Sequence, residues 1–471
     1  MLTLSRCASD PRQIWYKNPE VLFGVGVLAW VLAMFLHWPG SLSFGDEVGY
    51  IGQAKLFLTG RILPEPDSPG VWSVGGARTV SQYPLLVSLL LAPLFAVTPG
   101  AVFLAGLLAA IGLAWSVSRA VKAWGHDPRW GLLVLAHPTI IILSRTVMSD
   151  VILSAFAVGG WWALTRGRPF LAAVLIAATM STKPTGFLIA GAIVVGEIVT
   201  SRADLRRRDP QALRRAGIAM VSFLAGSVVM MSLNYLAARQ LWFTYDHRFL
   251  GTPPFWPKYF RSTAPLHASS VLLNPPLLIA GLLTFIHRRM FGPLFMILGL
   301  GTMMCFYFFV DYTSTWVETV VLSQRLILPA VAFLLVGYAA VLAGLAARLR
   351  VTSAATLILT IAPALLAFKI GGIHHRWQVP MDAARSAATQ AAQALGSPEL
   401  GLTENATKAG LLYPGPTRLV KTDSITKPAV ILCATRGMSY RQPTGGEHCQ
   451  FPGYESRNVA DGYVLLTERP R

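Results

Sequence analysis

Charge is what this sequence has least of. Only 13% of its 471 residues are Asp, Glu, Lys or Arg, whereas a soluble domain carries about a quarter, and that excludes a water-soluble globular enzyme. Cysteine is scarce as well. Of the four, Cys7 lies in the N-terminal tail, Cys305 inside an apolar run, and Cys433 and Cys449 in the polar C-terminal tail, so only the last two are disulfide candidates. No Walker loop, dinucleotide fingerprint, zinc-type spacing or nucleophile elbow occurs, which leaves ATP coupling without support. A fixed-period or inverted repeat is also missing. No small-residue cleavage site follows the first apolar run, Val21 to Trp38, so it reads as a retained signal anchor and not as a cleaved signal peptide.

Hydrophobicity is what the chain has in excess: 54% apolar residues and a mean hydropathy of +0.52. Apolar runs of about 15 to 20 residues, each near the length that spans a bilayer, recur from Val21 to Lys369. The expected spans are Val21 to Trp38, Gly100 to Ser118, Trp130 to Ser144, Val151 to Thr165, Pro169 to Met180, Thr185 to Thr200, Ala216 to Leu236, Val271 to Ile286, Phe291 to Val310, Leu326 to Ala347 and Val351 to Phe368. A twelfth apolar segment, Pro84 to Thr98, is short and bounded by proline.

The formal charge of +18 is a topology signal before it is a partner signal. Short basic connections, namely Arg119/Lys122/Arg129, Arg166/Arg168, Arg202 to Arg215, Arg288/Arg289 and Arg348/Arg350, should all be cytoplasmic. They share one side with the basic N-terminal tail only if residues 84–98 lie in the membrane plane or half insert. The expectation is therefore about eleven crossings, a cytoplasmic N-terminus and an external C-terminal tail. Residues 1–369 form the membrane unit, with a first external loop at 39–83 carrying amphipathic helix. Residues 370–471 form a small α/β domain with a helix from Met381 to Leu395 and strands at Ala429 to Ala434 and Tyr463 to Thr467. This arrangement needs no nucleic-acid partner.

That parity gathers most acidic side chains of the membrane half on the external face: Asp46, Glu47, Glu65, Asp67, Asp150, Asp246, Asp311 and Glu318, with Lys183, Arg248, Lys258, Arg261 and Arg325. Asp46 and Glu47 open a stretch in which Tyr50, Ala54, Phe57 and Leu58 can face lipid or protein while Gly49 and Gln53 face away. A carboxylate in such a place can take a proton from an attacking hydroxyl or amine; the plain alternative is helix capping, for Asp46 and for Asp150. Lys183 and Arg325 can hold a phosphate at headgroup level, or simply snorkel. Tyr83 is either an interfacial anchor or a groove residue. His374 and His375 have no third metal ligand near them in sequence.

In order along the chain, Gly45-Asp46-Glu47 with Tyr50 and Ala54, Tyr83-Pro84-Leu85, Ser144-Arg145 followed by Asp150, Thr182-Lys183 and Arg325-Leu326-Ile327-Leu328-Pro329 resemble the polyprenyl-phosphate-dependent glycosyltransferases of the GT-C class. In particular they resemble the protein O-mannosyltransferase and lipid A aminoarabinose transferase group. The resemblance covers most of residues 20–345. It implies a polytopic helical membrane enzyme of the cell envelope, in the bacterial inner membrane with its C-terminal domain in the periplasm. The implied reaction is inverting transfer of a hexose or pentose from a polyprenyl-phosphate-linked donor to a lipid, glycan or protein acceptor, among membrane lipids. By the same resemblance Asp46 is the general base, Glu47 and Asp150 shape the site, Lys183 and Arg325 bind the donor phosphate, and Tyr50 and Tyr83 line the acceptor groove. No cofactor is required by it, and a divalent metal is left open. The rival classes are a secondary transporter, which places ionisable or broken-helix sites at the bilayer midplane, and a non-catalytic membrane scaffold.

Overall fold

The structure is a computed structural model that describes residues 18–63, 71–74, 78–81, 83–238, 241, 257–265, 275–306, 324–420, 427–435 and 449–469. Glu65, Asp67, Asp246, Arg248, Asp311 and Glu318 lie outside the described residues, as do the first residues of the span expected at 271–286 and the last of that at 291–310. Most of what is described is helix. In chain order the helices are α1 (Pro19–Phe35), α2 (Gly45–Leu58), α3 (Leu85–Val97), α4 (Leu104–Ala123), α5 (Pro138–Leu143), α6 (Ser149–Thr165), α7 (Pro169–Thr182), α8 (Thr185–Thr200), α9 (Arg202–Arg206), α10 (Pro210–Ala238), α11 (Pro275–His287), α12 (Phe291–Met304), α13 (Leu328–Arg348), α14 (Thr352–Ala394) and α15 (Thr407–Gly410).

Four continuous helical stretches, Pro99–Ala123, Pro210–Ala237, Gln324–Arg348 and Thr352–Ala394, are long and apolar enough to cross a membrane by length and composition. Their outward positions are apolar: Val221, Leu224 and Val228 on α10, and Leu357, Ile358 and Leu365 on α14, are exposed. Apolar side chains on both the inside and the outside of a bundle are what lipid as solvent permits. Glycine lets two helix pairs close on each other: a Cβ at Gly196 of α8 would run into the backbone of Gly292 on α12, and Gly281 of α11 meets Gly337 of α13 in the same way.

Two local expectations are corrected and one is refined. The span Trp130 to Ser144 is broken: Pro128–Ala136 is a 3₁₀ helix, His137 is extended, and α5 begins at Pro138. Proline pushes the residue before it out of the helical region and has no N–H to continue the ladder. The helical stretch expected from Met381 to Leu395 is helix, but as the end of α14, which runs unbroken from Thr352 to Ala394 through Pro363 and Pro380. Finally, α2 is buried all round from Glu47 to Ala54, Gly49 and Gln53 included; the Gln53 amide donates to the Ile62 carbonyl at 2.8 Å.

What covers α2 is α3 together with the C-terminal region. Strands β3 (Leu400–Leu402), β4 (Thr417–Leu419), β5 (Val430–Ala434), β6 (Tyr454–Ala460) and β7 (Tyr463–Glu468) form a mixed sheet of order β4-β3-β5-β7-β6. β4-β3-β5 are parallel and β5-β7-β6 antiparallel. A separate hairpin, β1 (Val71–Val74) with β2 (Arg78–Ser81), lies in the first loop. Met381, Ala384, Ala388 and Ala392 of α14 share one apolar cluster with Val430, Leu432 and Leu465 of the sheet, Tyr50, Ile51 and Ala54 of α2, and Val87 and Leu91 of α3. The small alanines let the sheet approach the helix closely. Cys433 on β5 is disulfide-bonded to Cys449, so the predicted pair is formed.

Candidate active site

The charged site residues predicted from the sequence, with Tyr83, sit at helix ends or beside them, whereas Tyr50 lies one turn further into α2. Asp46 and Asp150 are the second residues of α2 and α6, Tyr83 precedes Pro84 at the start of α3, Lys183 joins α7 to α8, and Arg325 lies in the 3₁₀ turn Gln324–Ile327 that leads into α13. Neither aspartate caps its helix, since the N-cap positions belong to Phe44 and Met148. The capping expectation thus gives way to ion pairing. Arg325 Nη1 donates to Asp46 Oδ2 at 2.9 Å, and the Tyr83 hydroxyl donates to Asp46 Oδ1 at 2.8 Å. Lys183 Nζ donates to Asp150 Oδ1 at 2.7 Å.

Burial decides which carboxylate a ligand can reach. The Asp46 side chain is 30% exposed and that of Asp150 only 1%. Glu47 is fully buried, and both its oxygens are taken by backbone: Oε2 accepts from Ser43 N at 2.5 Å and Phe44 N at 2.6 Å, and Oε1 accepts from Val147 N at 2.8 Å. It thereby ties the start of α2 to the segment before α6. Burial pushes its carboxyl up to about 7, with the three N–H donors opposing.

Asp46 goes the other way. Burial alone raises its carboxyl, but the charge and hydrogen bond of Arg325, the charge of Lys183 and the Tyr83 hydroxyl together hold it below the usual carboxylate value. Tyr50 packs its ring 4.7 Å from that of Tyr83. Burial, with Asp46 and Asp150 nearby, keeps its phenol protonated. The guanidinium of Arg325 also lies 5.5 Å from the Phe44 ring centre. Asp46, Asp150, Lys183, Arg325, Tyr50 and Tyr83 therefore form one group, and Glu47 braces it from behind.

The sequence reading missed the support under this group. His374 and Gln378 of α14 meet Ser43, and Lys55 of α2 donates to the carbonyls of Tyr413 (3.0 Å) and Gly415 (2.7 Å) and to the Thr417 hydroxyl (3.2 Å). Extending the helical period past residue 370 would have put His374, Gln378 and Asp382 on one face, four residues apart. His374 faces Ser43 and Arg145, and among the described residues no three His, Cys, Asp or Glu side chains gather as metal ligands.

The apolar helices form a bundle with ionic groups gathered at one end and a mixed sheet docked on that end, and the solved structures it resembles make the fold GT-C-like. The structure aligns with that of ArnT from Cupriavidus metallidurans bound to undecaprenyl phosphate at a TM-score of 0.61, over 96% of this chain and 99% of that one, with 13% identity. The apo state of the same enzyme gives 0.59 over 95% and 99%, with 14% identity. The chain is thus an integral membrane protein of the ArnT-like architecture. No family model and no curated protein sequence matches it.

Proposed function

We propose that this protein is a membrane glycosyltransferase that moves a sugar from a polyprenyl-phosphate carrier to a hydroxyl or amine acceptor on the extracytoplasmic face. The observation that carries the proposal is the paired cluster itself: a reachable Asp46 between Arg325 and Tyr83, beside the buried Asp150–Lys183 pair. That cluster lies at helix ends and not at mid-span, which favours interfacial chemistry over transport. Basic turns close α4, α6, α8, α11 and α13, whereas the cluster uses the starts of α6, α8 and α13. Under the positive-inside rule the cluster is then external, in about eleven crossings with a cytoplasmic N-terminus and a periplasmic C-terminal region, and a disulfide suits that compartment. The inner membrane of a bacterium fits this plan.

In this mechanism Lys183 and Arg325 take the donor phosphate. Drawing Arg325 away from Asp46 removes the charge that depresses its carboxyl, so Asp46 becomes a better base when the donor is in place. The acceptor oxygen or nitrogen attacks the anomeric carbon, the bond from that carbon to the phosphate oxygen breaks with inversion, and Asp46 accepts the acceptor's proton. The carrier leaves as polyprenyl phosphate, its charge met by Lys183 and Arg325. Tyr50 and Tyr83 border the acceptor's approach. Asp46→Asn should lower transfer from purified polyprenyl-phosphate sugar by about 10²- to 10⁴-fold, the usual worth of a general base. Transfer at the wild-type rate by a folded Asp46→Asn protein defeats the proposal.

A further inference from the structure

Four consecutive residues just before α2 are gripped by the C-terminal region. The Gly40 carbonyl accepts from Arg385, and the Ser41 hydroxyl pairs with Asp382. Gln378 Nε2 donates to the Ser41 carbonyl at 2.5 Å and to Ser43 Oγ at 3.2 Å. Leu42 N donates to the Lys408 carbonyl at 3.3 Å, and Ser43 Oγ lies 2.9 Å from His374 Nε2. A Cβ at Gly40 would collide with the Asp382 carboxylate, so the close approach needs glycine there. His374, Gln378, Asp382 and Arg385 recur at helical spacing on α14 and present one polar face to this strap.

The proton on His374 can be placed. Arg145 Nε, which can only donate, points at Nδ1 at 3.4 Å. Nδ1 is therefore the acceptor and Nε2 carries the hydrogen given to Ser43. His374 is itself buried, with the Arg145 guanidinium on one side and Ser43 on the other. Ser43 in turn donates its backbone N–H to Glu47, one residue from Asp46. Neither His374 nor Gln378 is bonded to Asp46, Asp150, Lys183 or Arg325.

We infer that His374 and Gln378 are positioning residues for the transfer reaction: through Ser43 they fix the start of α2, and with it the place at which Asp46 meets Arg325, Tyr83 and the acceptor. This rests on Asp46 being the base. A displacement of that carboxylate by about 1 Å is enough to cost about 10²-fold in rate, whereas the donor phosphate is held from other elements.

The test uses the full chain purified in detergent with a polyprenyl-phosphate sugar. Gln378→Met keeps the length of the side chain and removes its donors; it should lower kcat by about 10- to 100-fold while donor KM stays within about twofold. The acidic limb of kcat/KM should move to higher pH, because Asp46 loses part of its contact with Arg325 and Tyr83. His374→Leu should behave alike, and His374→Gln, whose amide can still reach Ser43, should recover most of the lost kcat. Should Gln378→Met not accumulate, Ser43→Ala removes only the shared hydroxyl and gives the same readings. Wild-type kcat in Gln378→Met, or a fall in kcat that follows only the fraction unfolded with the pH limb unmoved, overturns the inference. An active Asp46→Asn protein instead removes the functional reading on which it stands.

Discussion

Lys183→Met tests the energetics of the cluster directly. Asp150 has a side chain 1% exposed and a single ion pair, 2.7 Å to Lys183, which is itself only 13% exposed. Its second oxygen has no hydrogen-bond partner among the described residues, so nothing takes over when the ammonium is removed. Breaking a buried pair on one side costs about 3–5 kcal/mol, because the surviving charge stays desolvated. Replacing both partners by apolar residues is often close to neutral, so Lys183→Met/Asp150→Leu should regain most of that loss. Denaturant unfolding in detergent, run as a double-mutant cycle, should give a coupling of about 2–4 kcal/mol. Single variants each costing less than about 1 kcal/mol, the value expected of an exposed pair, or a cycle that is simply additive, would refute the reasoning. The double variant also separates two roles of the lysine, since it should be folded and still unable to transfer if Lys183 holds the donor phosphate.

Three further outcomes follow from the same geometry. Burial pushes Glu47 up to about 7 from an ordinary value of 4.5, so its share of stability is complete below about pH 4.5 and is lost as pH rises through about 7; at about 1.4 kcal/mol per unit that is about 3 kcal/mol. In Glu47→Gln this part of the pH slope of unfolding should vanish. Lys55 runs in the opposite sense: burial depresses it to about 7 from 10.5, the unfolded chain holds the extra proton between those limits, and stability should rise with pH across that window, an increment that Lys55→Met should abolish in pH-dependent melts. Opening the Cys433–Cys449 bond, which closes a segment with a sequence separation of 16, should cost about 3 kcal/mol. Limited proteolysis of the C-terminal region with and without reductant measures it, and equal cleavage rates would show that the bond carries no such load.

The membrane helices were legible because lipid imposes one simple pattern, long apolar runs interrupted by basic turns, that needs no knowledge of tertiary contacts. Parity put Asp46, Asp150, Lys183 and Arg325 on one face among thirteen charged residues, and the resemblance in motif order was what singled these four out together with Tyr83. The sheet was not legible in the same way. β3 and β4 have three residues each, too few to show alternation, and β6 reads Tyr-Glu-Ser-Arg-Asn-Val-Ala with an exposed middle; each is a strand only because a neighbour offers it hydrogen bonds. Only the β5 and β7 regions carry enough apolar residues to announce themselves. The strap at Gly40 to Ser43 was hidden for a related reason, since its partners lie more than 330 positions away. The break at His137 was written in Pro138 but masked by the apolar character of its flanks.

The two ion pairs leave the resting cluster electrically neutral, and this bears on the company it keeps. A bilayer presents phosphate headgroups in enormous excess over any carrier lipid, and an isolated lysine and arginine at that depth would be occupied by them continually. Here each cation is already engaged by an aspartate, so a headgroup phosphate must displace a carboxylate and leave it desolvated in order to bind. Only a ligand that brings something for the released aspartates to hold, such as the hydroxyls of a sugar or the proton of an acceptor, escapes that penalty. The pairing is in effect a filter against the membrane itself, and under the proposed function selectivity for the rare donor rests on the same two contacts.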